Sequence, residues 1–174
     1  RAHPGTLCIA FRRDYFGHRG DPLRRGRRRA GQILLIPRAR VRHCGDPDEA
    51  AASIAPIREF GKVIGEHVGV LPFAAWQQIL DPLMDSGARN YWKSRNFTEI
   101  SDGMIESILE FANRLPSAEC EIFLAQIGGA TSRVDPRDTA YWHRDAQFVL
   151  NVHSRWRDSG DDEKCIAWAR EFFE

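Results

Sequence analysis

Several features that would reveal a common functional class are missing from this sequence of 174 residues. No apolar run approaches the roughly 20 residues that a membrane-spanning helix needs. The first residues also lack the apolar core of a secretory signal peptide. We therefore expect a cytoplasmic protein that does not enter the membrane. Because no initiating Met is present, we also expect Arg1 to be a cut end.

Motifs that bind phosphates, metals or acyl groups are missing as well. The sequence contains no Walker A loop, no G-x-G-x-x-G turn, no H-E-x-x-H helix and no G-x-S-x-G elbow. Its four cysteines, Cys8, Cys44, Cys120 and Cys165, are too widely spread to match a metal-ligand spacing. Reduced thiols are favoured over disulfides, and no metal site is predicted.

Lysine is absent from the first 45 residues, which carry twelve Arg against only Asp14 and Asp21. Such a segment has three interpretations: an arm that binds nucleic acid, a solvated basic loop, or a stretch that does not encode native structure. The first interpretation is disfavoured, because the Arg residues are neither interleaved with stacking aromatics nor followed by a helix that could contact bases. We favour the last, and predict a poorly ordered Arg-rich segment at 1–44 followed by a domain at 45–174.

From residue 45 onward, caps and hydrophobic periodicity predict a regular series of elements. Helices are expected after Asp46, after Pro72, after Ser101 and at the end of the chain. Strands are expected at Arg89–Phe97, Glu121–Ile127 and Ala146–His153. This order predicts an α+β fold, with a mostly antiparallel sheet and helices packed on one face.

Apolar residues at helical spacing define the inward faces of two of these helices. The helix after Ser101 has an apolar stripe formed by Met104, Ile105, Ile108, Leu109 and Ala112. The last helix is predicted to face inward through Ile166, Ala169 and Phe173.

The strand at Ala146–His153 has two different faces. Phe148, Leu150 and Val152 form an apolar face that should meet the helices. Gln147, Val149, Asn151 and His153 form a mixed face, which is typical of a sheet that looks into a cavity.

The connection between the last two strands is dense in aromatic and cationic groups. Tyr141, Trp142 and the later Trp156 either wall a substrate pocket or pack in the core, which is the default for large aromatics. His143 is either an acid/base group or a hydrogen-bonded residue that fixes the turn. Arg144, beside Asp138 and Asp145, either anchors an anion or forms a structural ion pair, and the ion pair is favoured.

Three blocks of the sequence resemble one enzyme family. They are P-I-R-E-F-G-K at Pro56, L-P-F-A-A-W-Q-Q at Leu71 with Y-W-K-S at Tyr91, and the run from Gly128 through A-Y-W-H-R-D-A to Trp156. Together they are similar to FAD-linked oxidases of the berberine bridge enzyme and oligosaccharide oxidase type, within the vanillyl-alcohol oxidase-like flavoproteins. Trp142 stands where the family usually has proline.

This resemblance implies part of a substrate-binding domain, whose open sheet face lies over a flavin. FAD would be held mainly by a domain that is absent from this chain, and this missing FAD-binding domain and a small-molecule substrate are the implied partners. The parent enzyme would oxidise an alcohol, a sugar hemiacetal or an amine carbon by hydride transfer to flavin. A catalytically idle binding domain of the same fold is the alternative, and nucleic-acid binding through residues 1–44 is a weaker one.

The same resemblance singles out residues for substrate binding. Asn151 matches a polar position that points at the substrate in the family, so it either orients the substrate or makes ordinary structural hydrogen bonds. An amide cannot act as a general base. The catalytic base and the residues that bind the cofactor are therefore not identified. The predicted substrate-binding residues are Asn151, Val149, Phe123, Ala125, His143 and Tyr141.

Overall fold

The computed structural model describes residues 3–14, 34–44, 46–59 and 66–174. Its strands are β1 (His3–Asp14), β2 (Leu34–Cys44), β3 (Arg89–Phe97), β4 (Glu121–Gln126) and β5 (Phe148–Trp156). Its helices are α1 (Pro47–Arg58), α2 (Phe73–Gln77), α3 (Asp102–Asn113) and α4 (Asp162–Phe173), with short 3-10 turns at Gln78–Leu83, Thr131–Arg133 and Ser159–Asp161.

The five strands form one sheet in the order β2-β1-β4-β5-β3, and every neighbouring pair is antiparallel. β3 has the bounds expected from the sequence, and β4 ends one residue early. β5 begins two residues later than expected and continues three residues further, to Trp156. The α+β architecture is thus the predicted one.

Two of the strands lie in the Arg-rich segment, for which poor order was expected. β1 pairs with β2 on one side and with β4 on the other, and Cys8 lies opposite Ala125. Residues 15–33, which hold much of the Arg run, lie outside the described residues. The division of the chain at residue 45 stays a prediction.

One face of the sheet is covered by α3 and α4, as the sequence predicted. Leu150 and Val152 of β5 and Ile122 of β4 point into this layer, and Val152 and Ile122 are fully buried. Burial of such aliphatic side chains stabilises the fold by about 1.5–3 kcal/mol each. The core consists of Ile108, Phe111, Ala112, Leu115, Cys120, Ile122, Leu150, Val152, Trp156, Cys165, Trp168 and Ala169.

α3 begins as predicted, because the Ser101 hydroxyl accepts a hydrogen bond from the Met104 backbone N–H at 3.3 Å. Its apolar stripe is narrower than predicted. Met104 and Ile108 face the core, whereas Ile105 and Leu109 are 46% and 44% exposed. Each residue turns the helix by about 100°, so these two lie on its flank.

α4 joins the end of the chain to the sheet through its first residue. The Asp162 carboxylate accepts hydrogen bonds from the Trp156 indole at 2.6 Å and from the Arg89 guanidinium at 2.5 Å. Arg89 thereby lowers the pKa of Asp162. Trp156 is buried against this helix, so it is a core residue and not a pocket wall.

A glycine pair closes β4. Gly128 and Gly129 have positive φ angles of 130° and 57°, which other residues rarely adopt. A Cβ atom at Gly128 would lie 3.0 Å from the Gln147 side-chain oxygen. The pair therefore serves as a tight exit from the strand.

Across the described residues, no helix is both long and apolar enough to cross a bilayer. Cys120 and Cys165 are buried free thiols, as predicted. The side chains of Cys8 and Cys44 lie outside the described part of the structure.

Candidate functional site: the open face of the sheet

The face of the sheet opposite α3 and α4 carries four of the predicted substrate-binding residues. Phe123 lies opposite Asn151, and Ala125 lies opposite Val149, in the β4–β5 pairing. On the other side of β5, Ser94 and Asn96 of β3 take the matching positions. We call this group the open face: Phe123, Ala125, Val149, Asn151, Ser94 and Asn96. Its role in binding a substrate stays a prediction.

Asn151 is the polar centre of the open face. Its amide oxygen is shielded from solvent and has no hydrogen-bond partner within the described part of the chain. Leaving a buried acceptor unsatisfied costs about 1–3 kcal/mol, so such atoms are rare in folded proteins. A ligand that donates an O–H or N–H to this oxygen would recover that cost.

Tyr141 lies beside one end of the open face. Its hydroxyl donates a hydrogen bond to the Asn96 side-chain oxygen at 3.4 Å, and Asn96 is the register partner of Val149. Tyr141 is 37% exposed, and its neighbour Trp142 is 62% exposed. This contact places an aromatic wall next to the apolar floor that Val149 and Ala125 form.

His143 is less closely attached to the open face. The ring is exposed, and its centroid lies 6.1 Å from that of Tyr141. Among the described residues, no hydrogen bond reaches the His143 ring. His143 therefore does not fix the turn by hydrogen bonding. An acid/base role for His143 stays a prediction.

Arg144, and not His143, fixes the turn. Its guanidinium donates to the Thr131 carbonyl at 3.2 Å and to the Thr139 hydroxyl, and it lies 5.1 Å from the Tyr141 ring centroid. The expected ion pair with Asp138 or Asp145 is wrong, because neutral oxygen atoms take these hydrogen bonds.

Sequence reasoning did not identify a polar cluster at the other end of this sheet face. His153 is buried, and its Nδ1 atom lies 3.2 Å from Glu121 Oε1. Its Nε2 atom lies 3.4 Å from Asn90 Oδ1, and the Asn90 amide nitrogen donates to the Ala88 carbonyl. Trp92 covers the imidazole with a ring-centroid distance of 4.0 Å. The sequence does place His153 on the same strand face as Asn151. Its partners Glu121 and Asn90, however, follow only from the register of the strands.

Beyond His153, the same face ends in a charged network. Arg155 is buried and pairs with Asp85 at 2.7 Å and Glu119 at 2.8 Å. Arg157 pairs with the same two carboxylates. Hydrogen bonds from Arg155 and Arg157 lower the pKa of Asp85 to about 2. This network ties the loop before β3 to the end of β5, which is a structural role.

The described side chains of the open face carry no charge. They are apolar, amide or hydroxyl groups, whereas a pyrophosphate would need cations or helix N-terminal N–H groups. The described residues also contain no group of three His, Cys, Asp or Glu side chains arranged to hold a metal ion.

Comparisons with known proteins point to flavoproteins. No protein-family model matches the chain. It is 23% identical over 126 residues to the FAD-linked oxidoreductase YgaK of Bacillus subtilis, which is uncharacterised, and 24% identical over 129 residues to an FAD-linked oxidoreductase of Dictyostelium discoideum. These matches cover 71% and 73% of this chain but only 28% of each relative.

The fold of the chain is similar to that of solved flavoprotein structures. The chain superposes on the berberine bridge enzyme-like protein 28 of Arabidopsis thaliana with a TM-score of 0.65 and 16% identity, over 96% of this chain and 35% of that one. It superposes on aclacinomycin oxidoreductase with a TM-score of 0.64 and 18% identity, over 97% of this chain and 32% of that one. The predicted resemblance to FAD-linked oxidases is confirmed, and the chain corresponds to about a third of these larger proteins.

Proposed function

We propose that this chain is the substrate-binding part of an FAD-dependent oxidoreductase that oxidises an alcohol, a sugar hemiacetal or an amine carbon by hydride transfer. The observation that carries the proposal is the buried amide oxygen of Asn151, which has no described partner and lies at the centre of an open sheet face. The similarity to FAD-linked oxidoreductases supports the flavin chemistry.

The residues of the open face have distinct tasks in this proposal. Asn151 accepts a hydrogen bond from the hydroxyl or amine hydrogen of the substrate, which orients the carbon to be oxidised. Val149, Phe123 and Ala125 contact the apolar part of the substrate and exclude water from it. Tyr141 limits the size of the bound molecule at one end, and His143 lies at the outer rim.

FAD, when bound, supplies the acceptor for the hydride that leaves the substrate carbon. The described open face offers no cation for the FAD phosphates, so we infer that another domain holds most of this cofactor. Asn151 has no useful basicity, so the base that removes the substrate proton also comes from outside the open face.

The experiment uses the complete product of the gene that encodes this chain. The purified protein should contain flavin, and anaerobic addition of a panel of alcohols, reducing sugars and amines should bleach its visible absorbance with at least one member. A complete product without flavin would overturn the proposal and favour an idle binding domain that has lost its flavin partner. Flavin that no substrate reduces would contradict the proposed oxidation.

A further inference from the structure

The loop between β4 and β5, residues 127–147, is organised around Arg144. The guanidinium bonds the Thr131 carbonyl near the start of the loop and the Thr139 hydroxyl in its middle. Arg144 itself lies near the end of the loop, where its backbone N–H donates to the Trp142 carbonyl at 2.8 Å. One side chain thus joins three parts of a segment that has only a short 3-10 turn of its own.

Arg144 also supports Tyr141 directly. Its guanidinium carbon lies 5.1 Å from the Tyr141 ring centroid, within the range of a cation–π interaction. The Tyr141 hydroxyl in turn donates a hydrogen bond to the Asn96 side-chain oxygen, and Asn96 lies opposite Val149 of the open face. The contacts therefore run from the loop through Arg144 and Tyr141 to the open face.

We propose that Arg144 is a positioning residue, which holds Tyr141 at the edge of the open face and so sets how tightly substrates bind there. This inference rests on the proposed function of the open face. Lysine cannot replace Arg144, because a compact ammonium group neither bonds two separate oxygens in a planar fork nor stacks on a ring in the same way.

The test compares Arg144→Met and Arg144→Lys in the complete flavoprotein, with a substrate that reduces its flavin. Both substitutions should raise KM roughly tenfold, since hydrogen bonds from a charged group are lost, while kcat and flavin content stay unchanged. In a Tyr141→Ala background, Arg144→Met should raise KM no further, because the two residues act as one unit.

Arg170→Met is the matched control. Arg170 also stacks on a tyrosine, with its guanidinium carbon 5.5 Å from the Tyr91 ring, but this pair lies on the helix-covered side of the sheet. The control should leave KM unchanged. If Arg144→Met leaves KM unchanged, or if its effect adds in full to that of Tyr141→Ala, the inference is wrong.

A second measurement keeps this inference separate from the proposed function. If no substrate reduces the flavin, the proposed function fails. Limited trypsin digestion then tests whether Arg144 holds the loop in place. Release of the loop should speed cleavage after Arg133 and Arg137 in Arg144→Met, relative to both the parent protein and Arg170→Met. Equal cleavage rates in the three proteins would overturn a positioning role.

Discussion

Phe123 and Asn151 face each other across β4 and β5, and both side chains point away from the helices that cover the other side of the sheet. The buried Asn151 amide oxygen beside this aromatic ring has no hydrogen-bond partner among the described residues, which is unfavourable. In the proposed function, a bound molecule donates a hydrogen bond to the oxygen and packs on the ring. This relationship is the basis of the proposed function.

Replacing Asn151 with Leu should not destabilise the fold. The Asn151 amide oxygen has no hydrogen-bond partner among the described residues, so removing it relieves a desolvation cost. We expect the free energy of unfolding in urea to stay equal or to rise slightly. As a control, Asn90→Leu removes the bonds to Ala88 and His153 and should lower the free energy of unfolding by about 1 kcal/mol. Comparable destabilisation by both would show that Asn151 is an ordinary structural residue.

Ile122→Ala should strongly destabilise the protein. Ile122 is fully buried between the sheet and the helices, and truncation of such a residue to Ala costs about 2–5 kcal/mol. The matched variant Ile105→Ala, at a site that is 46% exposed, should stay within about 0.5 kcal/mol of the parent. Urea denaturation followed by circular dichroism measures both. A similar loss at the two sites would contradict the orientation of α3.

Asp85→Asn should remove a pH-dependent part of the stability. The folded protein lowers the pKa of Asp85 to about 2 through hydrogen bonds from Arg155 and Arg157, whereas an unfolded Asp titrates near ~3.9. The contribution is therefore fully present above the unfolded value and is lost as the pH falls towards 2. The variant should unfold at a lower urea concentration than the parent. This difference in urea midpoint should be constant from about pH 5 to pH 7 and should shrink as the pH falls towards 2.

The exposed Asp138 provides a control for the loss of the ion pairs. Its side chain forms no ion pair among the described residues, so Asp138→Asn should lower the urea midpoint at neutral pH less than Asp85→Asn does. A difference between parent and Asp85→Asn that is the same at low and neutral pH would argue against the ion-pair network.

Cys165 should resist alkylation in the native protein. Burial raises the pKa of its thiol to about 11, with a further contribution from nearby Cys120, and the side chain is inaccessible. Since the thiolate is the reactive form, iodoacetamide at neutral pH should label the Cys165 peptide only after urea is added. Mass spectrometry of the digested protein measures this. Rapid labelling without urea would show that α4 does not pack as described.

Local patterns in the sequence were enough to predict much of this fold. The alternation in β5 identified Leu150 and Val152 as core residues and placed Asn151 on the opposite face, because side-chain direction in a strand depends only on parity. The cap at Ser101 likewise predicted the start of α3.

Contacts between distant residues could not be predicted in this way. His153 meets Asn90 63 residues away, and Arg155 meets Asp85 70 residues away. Both contacts depend on the register of β3 against β5, which parity alone does not determine. The bonds of Arg144 to Thr131 and Thr139 depend on the path of an irregular loop. The expected ion pairs with its acidic neighbours in sequence were therefore wrong.

The most direct test of the central claim measures substrate affinity in the complete flavoprotein. The rate of anaerobic flavin reduction is followed against substrate concentration for the parent protein and for Asn151→Leu. If the open face binds the substrate, the variant should show a dissociation constant at least about tenfold higher, as expected for a lost hydrogen bond, with an unchanged flavin content. Equal dissociation constants in the two proteins would contradict the account.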